Sequence, residues 1–270
     1  MQLNVVEKGR GQALVLIPGW SQTARFYAKQ LDGLSDYYRV MAIDMRGHGE
    51  SPKPEHGYRV ARLARDLYEF LREQDLHDVA IAGHSMGSSV LWSYLEQFGS
   101  ERLGKLIFID QSPCLTNAGG MTDQEILEAG AAFTPESLYA TAHRVAHDQA
   151  DALAEFEPAF FSTDISAEDI ALYTSESLKM PSEYAARLLI DHGSQDWRDV
   201  IRHVIPALEL PTLVIGGGLG TIVPPQAMEW IAAQIPTSQL AIFSAEERGS
   251  HFMFWENPEK FNDLVRRFLA

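Results

Sequence analysis

The chain has 270 residues, 46% hydrophobic and 22% charged. These are ordinary proportions for a globular protein, and the length allows burial of roughly three quarters of the unfolded surface. Its single cysteine, Cys114, excludes an internal disulfide and a cysteine-based metal cluster. With 37 acidic and 22 basic side chains the net charge is −15, a field that repels nucleic-acid phosphates and anionic lipid, so neither nucleic acid nor a membrane surface is an expected partner.

The first residues, Met1-Gln2-Leu3-Asn4-Val5-Val6-Glu7, carry no basic leader followed by an apolar stretch. No run approaches the ~18 apolar residues of a spanning helix. The expectation is a soluble, cytoplasmic protein. Short runs rich in Val, Ile and Leu follow at 13–17, 40–43, 79–82 and 106–109, and again at 212–215 and 240–243. Their brevity and continuous apolarity suit strands buried on both faces of a parallel sheet. Helical patterns lie between them. Val60, Leu63, Leu67, Phe70 and Leu71 make one apolar stripe, and Leu91, Tyr94, Leu95 and Phe98 make another. Asn257-Pro258 is a cap and first turn for a last helix bearing Phe261, Leu264, Val265 and Phe268. Strand alternating with helix predicts an α/β fold with a mostly parallel central sheet flanked by helices.

The alternation stops after Ile109. Between 113 and 208 there are helix starts instead: Thr122 with Glu125 as a capping box, Thr134-Pro135, Ser166, and Pro181 opening a helix through Ile190. The expected division is a core of residues 1–112 and 209–270 with a helical insertion at 113–208.

The richest stretch is Val79 to Val90. It reads as a strand, then Gly83-His84-Ser85-Met86-Gly87, then a helix. A serine in so sharp a turn takes a strained conformation, and the small residues on either side let chain segments pass closely. Its hydroxyl stands at a helix amino terminus, where free N–H groups favour developing negative charge. Ser85 is therefore the candidate nucleophile, and it needs a base. His251 follows the strand at 240–243, and loops at the carboxyl ends of strands line the crevice of such a sheet, so His251 is the candidate. His84 adjoins the serine but points away, and His48 in Arg46-Gly47-His48-Gly49 suits a structural turn. His143 and His147 lie one helical turn apart without an evident third ligand, so an exposed helix face is preferred over a metal site.

Taken together, Pro18-Gly19-Trp20, Asp44-Met45-Arg46-Gly47-His48-Gly49-Glu50-Ser51, Gly83-His84-Ser85-Met86-Gly87 and Gly249-Ser250-His251-Phe252 resemble the α/β-hydrolase fold family. The likeness covers nearly all of the chain outside the insertion, which then corresponds to the family's lid. The resemblance implies an oxyanion hole formed by the backbone N–H groups of Trp20 and Met86. It also exposes a departure. The family's usual acid follows the penultimate strand, yet here Gly217-Gly218-Leu219-Gly220-Thr221-Ile222-Val223-Pro224 puts Gly220 in that slot, with no carboxylate between Leu210 and Gln226. A second family location, the end of the strand at 106–109, makes Asp110 the candidate acid, with anchoring of the lid as its competing role. Glu246 and Glu247 are outside candidates, since sequence neighbours of a histidine rarely reach its far nitrogen.

A serine, a base and an oxyanion hole imply acyl transfer without metal or organic cofactor. Small hydrophobic esters or lactones are the expected substrates. Phe133, Phe156, Phe160, Phe161, Tyr173 and Met180 of the insertion supply candidates for an apolar pocket, to which Phe252, Met253, Phe254 and Trp255 can add. Two other readings stay open. Cofactor-free ring-cleaving dioxygenases share this fold, and Pro18-Gly19-Trp20 and the displaced acid agree with them, whereas Met86-Gly87 after the serine agrees with hydrolases. A small-molecule sensor is the other.

Overall fold

The computed structural model describes every residue but Ala118. Among the described residues one sheet contains β1 (Asn4–Lys8), β2 (Ala13–Ile17), β3 (Arg39–Asp44), β4 (Val79–His84), β5 (Leu103–Ile109), β6 (Thr212–Gly217) and β7 (Ser238–Phe243). Their order is β1-β3-β2-β4-β5-β6-β7, with β1 antiparallel to β3 and every other pair parallel. The six expected strands are all present. The seventh, β1, has no continuous apolar run because it forms one edge and leaves Glu7 and Lys8 exposed. At the other edge β7 is only partly covered, with Leu240 42% exposed, so the expectation of burial on both faces fails there.

Alternation along the inner strands feeds two cores. Val15 and Ile17 face a cluster containing Leu63, Leu67, Val90 and Leu91, while Leu14 and Leu16 face one containing Leu31, Leu34 and Phe261. The first cluster covers helices α2 (Val60–Glu73) and α3 (Met86–Phe98); the second covers α1 (Ala28–Leu34) and α11 (Pro258–Leu269). The stripe expected on α3 understates its burial. Every residue from Met86 to Leu95 is buried, since the helix packs against α2, the sheet and the turn at Val200–Val204.

Between β5 and β6 run α4 (Asp123–Ala129), α5 (Pro135–His147), α6 (Gln149–Phe160), α7 (Ala167–Ser177) and α8 (Ser182–Gly193). Thr122 and Thr134 form capping boxes and Ser166 caps α7, at the positions where the sequence starts helices. Helix α6 has no counterpart among the helix starts expected from the sequence. Its cap is Asp148, and Pro158 sits inside it, a residue that normally signals a stop. Among the described residues of this stretch the β-structure consists of isolated bridges, Cys114 with Asp196 and Thr116 with Phe133. After β6 comes α9 (Pro225–Gln234), and α10 (Met253–Glu256) precedes α11. Among the described residues no helix is long and apolar enough to cross a membrane.

The strand order reverses between β2 and β4, since β3 lies on one side of β2 and β4 on the other. In an open parallel sheet, the crevice at the carboxyl ends beside such a switch is where ligands bind. The loop after β2 carries Trp20, the turn after β4 carries Ser85, the end of β5 carries Asp110, and the loop after β7 carries His251. All four candidate elements therefore open on the same end of the sheet.

Candidate active site

Ser85 joins β4 to α3 with φ 51° and ψ −127°, a region that a residue bearing a Cβ enters only under strain. Main-chain bonds hold it there: Ser85 N–H donates to the Ile109 carbonyl at 2.8 Å, and Ser88 N–H donates to the Ser85 carbonyl at 2.8 Å. The turn also needs bare backbone at Gly87, where an added Cβ would stand 2.5 Å from the Ile17 carbonyl oxygen. The loop after β2 comes equally near. A Cβ on Gly19 would lie 3.1 Å from the Ser85 Cβ and 3.5 Å from its Oγ, which places the following residue, Trp20, near Ser85. Met86 is the first residue of α3, so its N–H is one of the four that no intrahelical carbonyl satisfies.

Asp110 sits just beyond β5 with φ 46°. Its N–H donates to the Ile215 carbonyl at 2.8 Å. Its Oδ1 accepts from Gly217 N–H at 2.8 Å, and its Oδ2 accepts from His251 Nδ1 at 2.6 Å. Carboxylate and imidazole, 141 residues apart in sequence, are both almost fully buried. An acceptor on Nδ1 fixes the proton there and leaves Nε2 with a free lone pair. Burial pushes the His251 imidazole down to about 3, so the ring is neutral at physiological pH. Burial also pushes the Asp110 carboxyl well up, against the opposing pull of the Gly217 N–H.

His251 is steadied at its main chain as well. His84 Nε2 donates to the His251 carbonyl at 2.9 Å, with the two rings 4.6 Å apart. His84 therefore does not simply point away from the site: it lies against His251 and bonds to its main chain. His48 does serve a turn. Its Nε2 accepts from Ser21 N–H at 3.1 Å and its Nδ1 donates to the Arg46 carbonyl at 2.9 Å, which ties the loop bearing Trp20 to the loop after β3. The Arg46 guanidinium is in turn clamped by buried Asp66 through bonds of 2.7 and 2.9 Å. Glu246 and Glu247 bond instead to Ser244 and Lys260 at the surface. Gly220 takes φ 61°, and a Cβ there would meet the Pro225 ring at 3.0 Å.

Ser85, His251, Trp20 and Phe160 line two adjoining cavities of about 80 and 30 Å³. Among the described residues no hydrogen bond joins Ser85 to His251, an open arrangement common before a ligand enters. Phe133, Phe156 and Phe160 line the larger cavity; Tyr173 and Phe252 line the smaller. Phe160 stacks on the His251 ring with centroids 5.2 Å apart. Of the other pocket candidates, Phe161, Met180, Met253, Phe254 and Trp255 pack in the cores and line neither cavity. Gln111, Leu189, His192 and Val223 line the larger cavity without having been singled out in the sequence. Gln111 follows Asp110 directly, whereas a lone histidine in helix α8 carries no motif.

His143 and His147 stack on α5 with centroids 4.1 Å apart, and His147 Nδ1 bonds to the His143 carbonyl. Among the described residues no three His, Cys, Asp or Glu side chains are grouped as a metal would require.

A family model described as the alpha/beta hydrolase fold matches residues 12–258. The chain belongs to the α/β-hydrolase fold family. Within the family it is 28% identical over 275 residues to a putative non-heme chloroperoxidase of Synechocystis sp., covering 97% of this chain and 92% of that one. It is 26% identical over 272 residues to the pimeloyl-[acyl-carrier protein] methyl ester esterase of Aeromonas hydrophila, with both chains fully covered. Among solved structures, an esterase from Exiguobacterium antarcticum matches with a TM-score of 0.87 and 25% identity, covering 99% of this chain and 96% of that chain. This α/β hydrolase thus places a strained serine, a buried histidine and a buried aspartate at the crevice of its sheet.

Proposed function

We propose that the protein is a serine hydrolase that cleaves carboxylic esters or lactones of small hydrophobic acids through an acyl-enzyme on Ser85. The bond of 2.6 Å between Asp110 and His251, beside the cavity that Ser85 lines, carries this reading. Ser85 Oγ attacks the carbonyl carbon while its proton passes to His251 Nε2. The carbonyl π electrons move onto oxygen, and the N–H groups of Trp20 and Met86 hold the resulting oxyanion. Its collapse breaks the bond to the alcohol oxygen, which takes the proton from His251; in a lactone the alcohol stays tethered to the acyl group. Water repeats the sequence and frees the acid. Asp110 orients the imidazole and stabilises its transient positive charge.

Residues 113–208 act as a lid in this reading. The apolar walls that Phe133, Phe156 and Phe160 supply favour small hydrophobic acyl groups, and the esterases among the relatives and solved structures support ester substrates. The test is hydrolysis of p-nitrophenyl butyrate by the parent and by Ser85→Ala, together with mass spectrometry after treatment with a fluorophosphonate. One adduct at Ser85 is expected, with turnover reduced by at least about 10³-fold in the variant. Undiminished turnover in Ser85→Ala overturns the proposal.

A further inference from the structure

The larger cavity is mostly apolar, yet one of its walls is a histidine with nothing to bond. His192, in the last turn of α8, is only 4% exposed and lines the cavity that Ser85 and His251 share. Its Nδ1 is buried and has no hydrogen-bond partner among the described residues. Two other polar groups on these walls are already committed to main-chain carbonyls: Trp20 Nε1 to Ala185 at 2.9 Å and Gln111 Nε2 to Ser112 at 2.8 Å. An orphaned polar atom in a core is destabilising, and native structures hold few of them. Leucine or phenylalanine would fill the same space without that cost.

We infer that His192 is a specificity-determining residue, which bonds an oxygen on the acyl chain of the substrate and selects hydroxyacyl over plain alkyl esters. The inference rests on the hydrolase reading of the same site. The acyl group is the part that stays attached through both halves of the reaction, and the inference assigns to it the cavity beside Ser85. At about 80 Å³ that cavity lies far below the roughly 300 Å³ at the lower end of drug-sized sites, and it admits a group of only a few heavy atoms. A hydroxyl that meets His192 therefore stands within a few bonds of the scissile carbonyl, as in a 3-hydroxybutyryl ester. Burial pushes the imidazole down to about 3, so the contact is a bond of a neutral ring to a hydroxyl and not an ion pair. A buried group built to meet a hydroxyl discriminates strongly against an analogue that lacks it, because the group is then left unpaired.

The test compares kcat/KM for p-nitrophenyl 3-hydroxybutyrate and p-nitrophenyl butyrate. The parent is expected to favour the hydroxyacyl ester by tenfold or more. In His192→Leu that ratio falls by at least tenfold, and in His192→Gln part of it returns. His192→Leu is expected to melt at or above the parent temperature, which shows that the change in ratio does not come from damage to the fold. An unchanged ratio in His192→Leu overturns the inference, as does an equal loss on both esters. Binding decides the matter independently of turnover. Calorimetry on Ser85→Ala should show ethyl 3-hydroxybutyrate bound at least tenfold tighter than ethyl butyrate, with the difference gone in Ser85→Ala/His192→Leu. Equal binding of the two esters to Ser85→Ala overturns the inference even if no ester is turned over, whereas absence of Ser85-dependent turnover with selective binding overturns only the hydrolase reading.

Discussion

The two walls of the cavity are held by different means. The sheet wall presents Ser85, Asp110 and His251 from strand ends: main-chain bonds join Ser85 to Ile109 and Asp110 to Ile215, while the Asp110 carboxyl accepts from Gly217 N–H and the His84 ring donates to the His251 carbonyl. The helical wall presents Phe133, Phe156, Phe160 and His192 and reaches the sheet half largely through side chains. Trp20 bonds to Ala185, Gln22 to Ser177, Thr23 to buried Glu176, and Asp191 caps the free Val60 N–H of α2 at 2.8 Å. A main-chain lattice tolerates little displacement, because moving one group orphans several buried partners. Side-chain tethers fail one at a time. The proposed reacting groups thus stand on the wall tied by strand-end main-chain bonds, and the groups proposed to shape the substrate stand on the wall better able to move.

That contrast predicts its largest effect at Asp110. In Asp110→Asn the carboxylate that holds the imidazole proton on Nδ1 is gone, and kcat for p-nitrophenyl butyrate should fall by roughly 10³–10⁴-fold. The bond from Gly217 N–H can persist to the amide oxygen, so thermal stability should change little. A loss of less than tenfold in kcat would mean that Asp110 only anchors the chain after β5. Acid is the next most severe challenge. His48, His84, His192 and His251 are buried, and burial lowers each imidazole, to about 4 for His48 and about 3 for His192 and His251. Below the ordinary histidine value of 6.5 the unfolded chain takes up protons that the folded chain refuses. Stability is therefore full above pH 6.5 and falls as pH drops toward 4, by up to about 1.4 kcal/mol per pH unit for each ring. Asp110, whose carboxyl is raised, offsets part of this in the same direction of pH. Urea unfolding at pH 7 and pH 5 should show the loss, and His192→Leu should remove the share of the helical wall while leaving that of the sheet wall. Activity at pH 5 should nonetheless persist in the protein that remains folded, because His251 is still neutral there.

The same division explains what could be read in advance. The sheet wall is legible because strained turns and close backbone contacts dictate residue types at fixed spacing. Gly83-His84-Ser85-Met86-Gly87 has few structural alternatives when a strand precedes it and a helix follows, and a glycine at 87 is required by the Ile17 carbonyl. Asp110 carries no such pattern of its own and emerged only from family likeness and from the missing acid at Gly220. The helical wall is nearly silent. Its apolar residues follow the same helical period whether they face a core or a cavity, so Phe161 and Met180 read like Phe156 and Phe160 but are core. Helix α6 went unseen because Pro158 lies within it, and His192 because one histidine beside Leu188 and Leu189 has no spacing to betray it. The edge strand β1 is hard to read from sequence because half-exposed strands lack the continuous apolar run of buried ones.

Phe160 stands where the two walls meet, stacked on His251 and shared by both cavities. Phe160→Ala should join the two spaces and shift the preference from butyrate toward hexanoate esters by about tenfold in kcat/KM. The cost in stability is expected at about 1–3 kcal/mol, below the range for a fully buried phenylalanine because this one is only partly covered. A variant whose chain-length preference does not move would show that longer acyl chains are excluded elsewhere, on the sheet wall.

The smallest effect is expected where one tether is cut. Trp20→Phe deletes the bond from Nε1 to the Ala185 carbonyl while keeping an aromatic ring against Phe156, which the indole meets edge-on at 6.2 Å. The lost bond is worth about 1 kcal/mol. If the helical wall opens locally, with the sheet intact, that energy raises the open population about fivefold. Limited proteolysis within 113–208 should then speed up by the same factor, since cleavage follows the open fraction when closing is fast. Urea unfolding of the whole chain should show the loss only to the extent that the wall opens together with the sheet. Cleavage at the parent rate would mean that Thr23, Gln22 and Asp191 hold the wall without help from Trp20, and the weak link would have to be sought among those side chains.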